Sequence, residues 1–154
     1  KLLLEKGANI HVFGESPLRW ASRCGRLEIV KLLLEKGADV HACNDDALYS
    51  SAENGHFEVV KLLLEKGADI HAKDDDALRS SAKNNHFGIG KLLLERGANI
   101  SILNEDKIEQ LISKNIIVHG TSSELMQQTW NSMVEPVKEK YKLVLKELPS
   151  AVGI

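Results

Sequence analysis

Six histidines, two cysteines and a run of three carboxylates are the side chains here that invite a chemical reading. His11, His41 and His71 stand 30 residues apart, and so do His56 and His86. Zinc needs donors converging to about 2 Å. Side chains separated by one repeat lie one per layer, about 10 Å apart by ordinary helix packing, and cannot converge. Cys24 and Cys43 show no metal-ligand spacing and read as ordinary thiols. Asp74, Asp75 and Asp76 lack the ligand spacing and distal glutamate of a calcium loop, so an acidic turn ending in a helix cap is expected. No Gly-x-Ser-x-Gly nucleophile or Gly-x-x-x-x-Gly-Lys-Ser/Thr phosphate loop occurs. The expectation is a chain without catalysis, cofactor or metal.

The elements that place these residues come from a repeat. Residues 1–11, Lys-Leu-Leu-Leu-Glu-Lys-Gly-Ala-Asn-Ile-His, return in near-identical form at 31–41 and 61–71, and again at 91–100. A second motif keeps the same phase: Ser16-Pro17-Leu18-Arg19, Asp46-Ala47-Leu48-Tyr49 and Asp76-Ala77-Leu78-Arg79. Ser16, Asp46 and Asp76 are expected to cap a first helix, with Pro17 just inside its start. That helix ends at Gly25, Gly55 or Asn85, residues that tolerate a left-handed turn. A second helix follows, with Val59, Val60, Leu63 and Leu64 on one face and Glu58, Lys61 and Glu65 in water. Gly67 ends it, and the next four residues are read as extended. Two helices this short cannot bury their apolar sides alone, so the period implies a stacked solenoid.

The string Asn54-Gly55-His56-Phe57-Glu58-Val59-Val60-Lys61-Leu62-Leu63-Leu64-Glu65-Lys66-Gly67-Ala68-Asp69-Ile70 resembles the core of the ankyrin repeat. The resemblance covers residues 1–102 and implies an all-α helical solenoid. Ankyrin repeats usually run about 33 residues, and here only Lys73-Asp74-Asp75 separates Ala72 from Asp76. Shortened, blunt loops are therefore expected in place of β-fingers. The form resembles the 30-residue ankyrin arrays of giant viruses. In the family His56 and His86 would serve local hydrogen bonding. The position of His41 and His71 is one an asparaginyl hydroxylase can modify.

Unit boundaries are expected at 1–12 (a partial repeat), 13–42, 43–72 and 73–102, with 103–154 holding a divergent last repeat and a C-terminal helical cap. The partial first unit reads as part of a longer array. The third unit carries Gly88-Ile89-Gly90 where the second has Glu58-Val59-Val60. Each helical glycine costs about 1 kcal/mol relative to alanine, which fits relaxed demands or a close neighbour. Residues 106–115 read as a divergent first helix, with Ile108 under Leu78 and Ile112 under Ala82; a rival alignment sets residues 110–115 against a second helix, but it needs a deletion. Beyond a capping box at 121–124, Met126, Trp130, Met133, Val137, Tyr141, Val144 and Leu148 form an apolar stripe. It is read as a helix bent at Pro136 that covers the last repeat, the alternatives being a short coiled coil or a stripe left free for a partner's groove.

A net charge of -2 gives no footing for nucleic acid or an acidic membrane surface. No apolar run approaches the roughly 18 residues of a bilayer span. The charged start, Lys1-Leu2-Leu3-Leu4-Glu5, is not a secretory signal. An intracellular monomer that binds a protein partner is expected. The resemblance puts the partner on the concave side, where the units differ from one another. The candidate contacts are Phe13, Glu15, Arg23, Cys24, Asn44, Asp45, Glu53, Asn54, Lys73, Asp75, Lys83 and Asn84. Two rival readings are a ubiquitin-ligase adaptor, since residues 147–152 resemble the opening of an F-box-like segment, and a decayed gene fragment.

Overall fold

The computed structural model describes residues 9–113. The partial first unit up to residue 8 and the C-terminal cap, with its stripe and Pro136, lie outside the described residues. Helices α1 (Ser16–Arg23), α2 (Leu27–Glu35), α3 (Ala42–Glu53), α4 (Phe57–Glu65), α5 (Ala72–Lys83), α6 (Phe87–Glu95) and α7 (Glu105–Ser113) follow one another. A 3-10 turn, Ile100–Ile102, precedes α7. No strand occurs among the described residues, so the shortened loops form no β-fingers. Each first helix packs on its own second helix, and α1, α3 and α5 pack side by side in one row, with α2, α4 and α6 in another.

Hydrophobic burial at the 30-residue period holds the stack together. Leu18, Leu48 and Leu78 are buried in the first helices, and Leu33, Leu63 and Leu93 in the second. Removing apolar surface from water at about 25 cal/mol per Å² makes each such leucine worth roughly 2 kcal/mol. On α4 the buried residues are Val59, Val60 and Leu63, Leu64 is half-buried, and Glu58, Lys61 and Glu65 are exposed. Ile29, 48% exposed, shares its register with Val59 and Ile89, which are 2% exposed where α4 and α6 meet the preceding layer. Both glycines of α6 are accommodated within a continuous helix. Ile108 and Leu111 of α7 are buried in the same core.

The helix starts depart from expectation. No side chain caps α1, α3 or α5. Cys43, Asn44 and Asp45 have φ of 56°, 59° and 55°, and Lys73, Asp74 and Asp75 of 53°, 55° and 57°. Each trio makes a turn of left-handed backbone inside the first residues of α3 or α5, so the right-handed helix begins only at Asp46 or Asp76. The turn costs roughly 1–2 kcal/mol per non-glycine residue. Phe13-Gly14-Glu15 repeats it, with φ of 48°, 62° and 58°. Deleting the hairpin tip forces the chain to reverse within three residues, and this turn accomplishes it. Ser16 therefore donates its hydroxyl back to the Phe13 carbonyl, and Asp46 and Asp76 take ion partners instead of amide protons. The segment read as extended also turns. Asp39, Asp69 and Asn99 each accept the amide proton of the residue two ahead.

Candidate functional site

The histidine row is structural. His41 Nδ1 lies 3.2 Å from Asp45 Oδ1 and His71 Nδ1 3.1 Å from Asp75 Oδ1. The same oxygens accept amide protons from 24 residues ahead, Asp69 to Asp45 and Asn99 to Asp75, both at 2.9 Å. These bonds hold the left-handed turns against their strain and tie each turn to the loop that follows α4 or α6. His11 pairs with Glu15 in the same way. His56 and His86 reach the preceding layer instead, Nε2 to the Arg23 carbonyl at 2.9 Å and to the Glu53 carbonyl at 3.1 Å.

This arrangement corrects three of the expected contacts. Glu15, Asp45 and Asp75 are buried, with 5%, 4% and 5% exposure, and cannot meet a partner. A polar residue in a loop reads as wet, and nothing in a loop's composition reveals an amide waiting 24 residues away. A signal was present: a carboxylate recurs four residues after His11, His41 and His71.

The remaining candidates share the face made by the first helices and the turns before them. Phe13 is 89% exposed at the tip of its turn. Arg23, Cys24, Asn44, Asn54, Lys83 and Asn84 are exposed, and Glu53 and Lys73 half-buried. Glu53 accepts the Tyr49 hydroxyl at 2.8 Å, which, with burial, raises the tyrosine's pKa. Asn54 Nδ2 donates within its own helix to the Ser50 carbonyl, and Asn84 Nδ2 to the Glu53 carbonyl one layer back.

Sequence reasoning passed over an ion ladder on this face. Arg19 Nε donates to Asp46 Oδ2 and Lys73 Nζ to Asp46 Oδ1, both at 2.8 Å. The two steps are each 27 residues long, one period less about one helical turn, and opposite charges at that offset were the available sign. Burial pushes the Asp46 carboxyl up, but hydrogen bonds from Lys73 and Arg19 outweigh it and hold its pKa below the ordinary range. The bond to Asp46 raises the Arg19 guanidinium, against the opposing effect of its partial burial. Lys73 also lies over the Tyr49 ring, at 5.3 Å. Trp20, likewise passed over, is 61% exposed with the Arg23 guanidinium 5.5 Å from its ring centre.

Among the described residues no group of three His, Cys, Asp or Glu side chains is gathered as for a metal ion. None of the described helices is long and apolar enough to cross a membrane. A family model for ankyrin repeats in three copies matches residues 40–104, and one for the single ankyrin repeat matches residues 13–45. The chain belongs to the ankyrin repeat family. Ankyrin repeats are protein–protein interaction modules, and this array has the stacked helical pairs such a module requires. A search of curated proteins returns no match.

Proposed function

We propose that this ankyrin array holds a partner protein on the face of α1, α3 and α5 and has no catalytic activity of its own. The observation that carries the reading is a contrast between positions. Along the first helices, the apolar side chains that the units share, as at Leu18, Leu48 and Leu78, are buried in the stack. Where they differ, Phe13 and Cys43 in the turns and Arg23 and Lys83 near the helix ends are exposed, with Lys73 and Glu53 half-buried. A repeated frame that presents unlike, outward side chains is suited to recognising another surface. The contact set is accordingly Phe13, Arg23, Cys24, Asn44, Glu53, Asn54, Lys73, Lys83 and Asn84. An intracellular, monomeric scaffold is the corresponding setting.

Site-specific photo-crosslinking tests this. A benzophenone side chain placed at position 24, 54 or 83 of the full chain should capture protein from a cell extract. The same group at Glu35 or Glu65, exposed on the second helices, should not. Equal capture from both faces would overturn the proposal.

A further inference from the structure

We infer that the recognition face is built for an acidic peptide segment with an apolar anchor, seated on Trp20 and Arg23 and running toward Lys83. The inference builds on the proposed function and adds the chemistry of the partner. Trp20 is the one large aromatic on the first helices that stays mostly exposed among the described residues, and the equivalent Ser50 and Ser80 are buried. Stacked beneath the Arg23 guanidinium, it offers an apolar surface with a cation at its edge. Tryptophan and arginine are the side chains that most often carry binding energy at protein interfaces.

Charge decides the partner's sign. Most carboxylates of this face are already engaged, Asp46 by Arg19 and Lys73, Asp76 by Arg79 and Glu53 by the Tyr49 hydroxyl, while Asp74 stands exposed in its turn beside Lys73. Arg23 and Lys83 have no carboxylate partner among the described residues. Residues 13–26 hold Arg19, Arg23 and Arg26 against the buried Glu15. Residues 43–56 hold Asp45, Asp46 and Glu53 with no lysine or arginine. The open positive charge is therefore concentrated around Trp20 and returns at Lys83, with Glu53 between. Two layers at about 10 Å each separate Arg23 from Lys83, a span of about six extended residues at roughly 3.3 Å apiece. The fitting ligand has an apolar side chain beside one acid, a second acid about six residues on, and no acid between. A nucleic acid backbone, charged at every step, would set phosphates against Glu53.

The test uses the full chain and a fluorescently labelled synthetic peptide with a leucine, an adjacent aspartate and a second aspartate six positions later, in a glycine, serine and glutamine background. Its lysine-for-aspartate counterpart is the control, and binding is read by anisotropy. The acidic peptide should bind and the lysine peptide should not. Trp20→Ser and Arg23→Glu should each weaken binding at least about tenfold, with thermal melting by circular dichroism unchanged. Lys83→Glu should weaken it less, and the Arg23→Glu, Lys83→Glu double variant should turn preference toward the lysine peptide. Equal binding of the two peptides, indifference to Trp20→Ser, or displacement by a single-stranded oligonucleotide of equal charge would overturn the inference. A partner crosslinked to position 54 or 83 whose capture ignores Trp20→Ser and Arg23→Glu would leave the proposed function standing while removing this one.

Discussion

The imidazole of His86 occupies the space that a Cβ on Gly55 would need: such an atom would lie 2.6 Å from the ring's Cε1. The ring is held there by its bond to the Glu53 carbonyl. Gly55 also has φ of 79°, so two constraints meet at one residue. Gly67, with φ of 92°, has nothing within 4 Å of its missing Cβ. Gly67→Ala should therefore cost only the backbone strain, about 1–2 kcal/mol. Gly55→Ala should cost distinctly more, and less when made in a His86→Ala background. Urea denaturation of the four variants measures this. Equal costs for the two glycines would mean that the ring moves aside freely.

Glu15 sits where the next two units have aspartate, and the exchange leaves a mark. Its Oε1 pairs with His11, but its Oε2 is buried without a hydrogen-bond partner. Asp45 and Asp75 leave no such orphan: their Oδ1 accepts the amide proton of Asp69 or Asn99, and their Oδ2 also lies within hydrogen-bond distance of the histidine Nδ1. Glu15→Asp should free the layer of an orphaned acceptor and bring the carboxylate to the Asp39 amide. A gain of about 1 kcal/mol is expected, read as a higher melting temperature. A lower one would show that the longer side chain is needed in this turn.

The ion ladder sets a pH dependence. The Asp46 pKa lies below its ordinary value of 3.8 in the folded chain. The stabilisation is thus complete above about 4 and is lost as the pH falls through the folded value. Asp46→Asn should lower the melting temperature at pH 7 by a modest amount, since partly exposed ion pairs are worth about 1 kcal/mol or less. Its difference from the parent should shrink as the pH is taken down through and below 3.8. A difference that is constant over that range would exclude the ladder as its source.

Much of this architecture could be read from the period alone. The buried Leu63 and the wet Glu65 follow from helical spacing within a repeat, and the positive φ at Gly25, Gly55 and Asn85 follows from residue type. The turns before the first helices were not legible. Serine and aspartate at 16, 46 and 76 suit a helix cap, but shortening the loop by three residues imposed a backbone that local propensity does not favour. Interlayer bonds such as His56 to the Arg23 carbonyl depend on the stack's geometry, which a one-dimensional pattern does not carry.

Leu63 and Glu65 give the direct test of the stack. Leu63 has no exposed surface, so Leu63→Ala should cost about 2–5 kcal/mol and destabilise the adjoining layers with its own. Glu65→Ala on the exposed face should stay within about 0.5 kcal/mol. Chemical denaturation compares the two. Similar costs would mean that α4 is rotated about its axis.

Gly88 and Gly90 both lie within α6. A Cβ on Gly90 would lie 3.6 Å from Ser81 Oγ and 3.8 Å from Leu111 Cδ2, and one on Gly88 3.9 Å from Phe57 Cδ2. These are ordinary contacts, so crowding does not demand glycine at either place. The close approach that the sequence left open is absent at both positions, while the entropic cost of a helical glycine remains. Gly88→Ala and Gly90→Ala should each stabilise the array by about 1 kcal/mol. The effects should nearly add, because the two side chains meet different neighbours. Gly90 is the sharper case, since it is buried and its methyl would fill space between α5 and α7. Melting curves of the single and double variants would settle it. A loss of stability at Gly90→Ala with a gain at Gly88→Ala would mean that α7 packs more tightly on α6 than these distances allow.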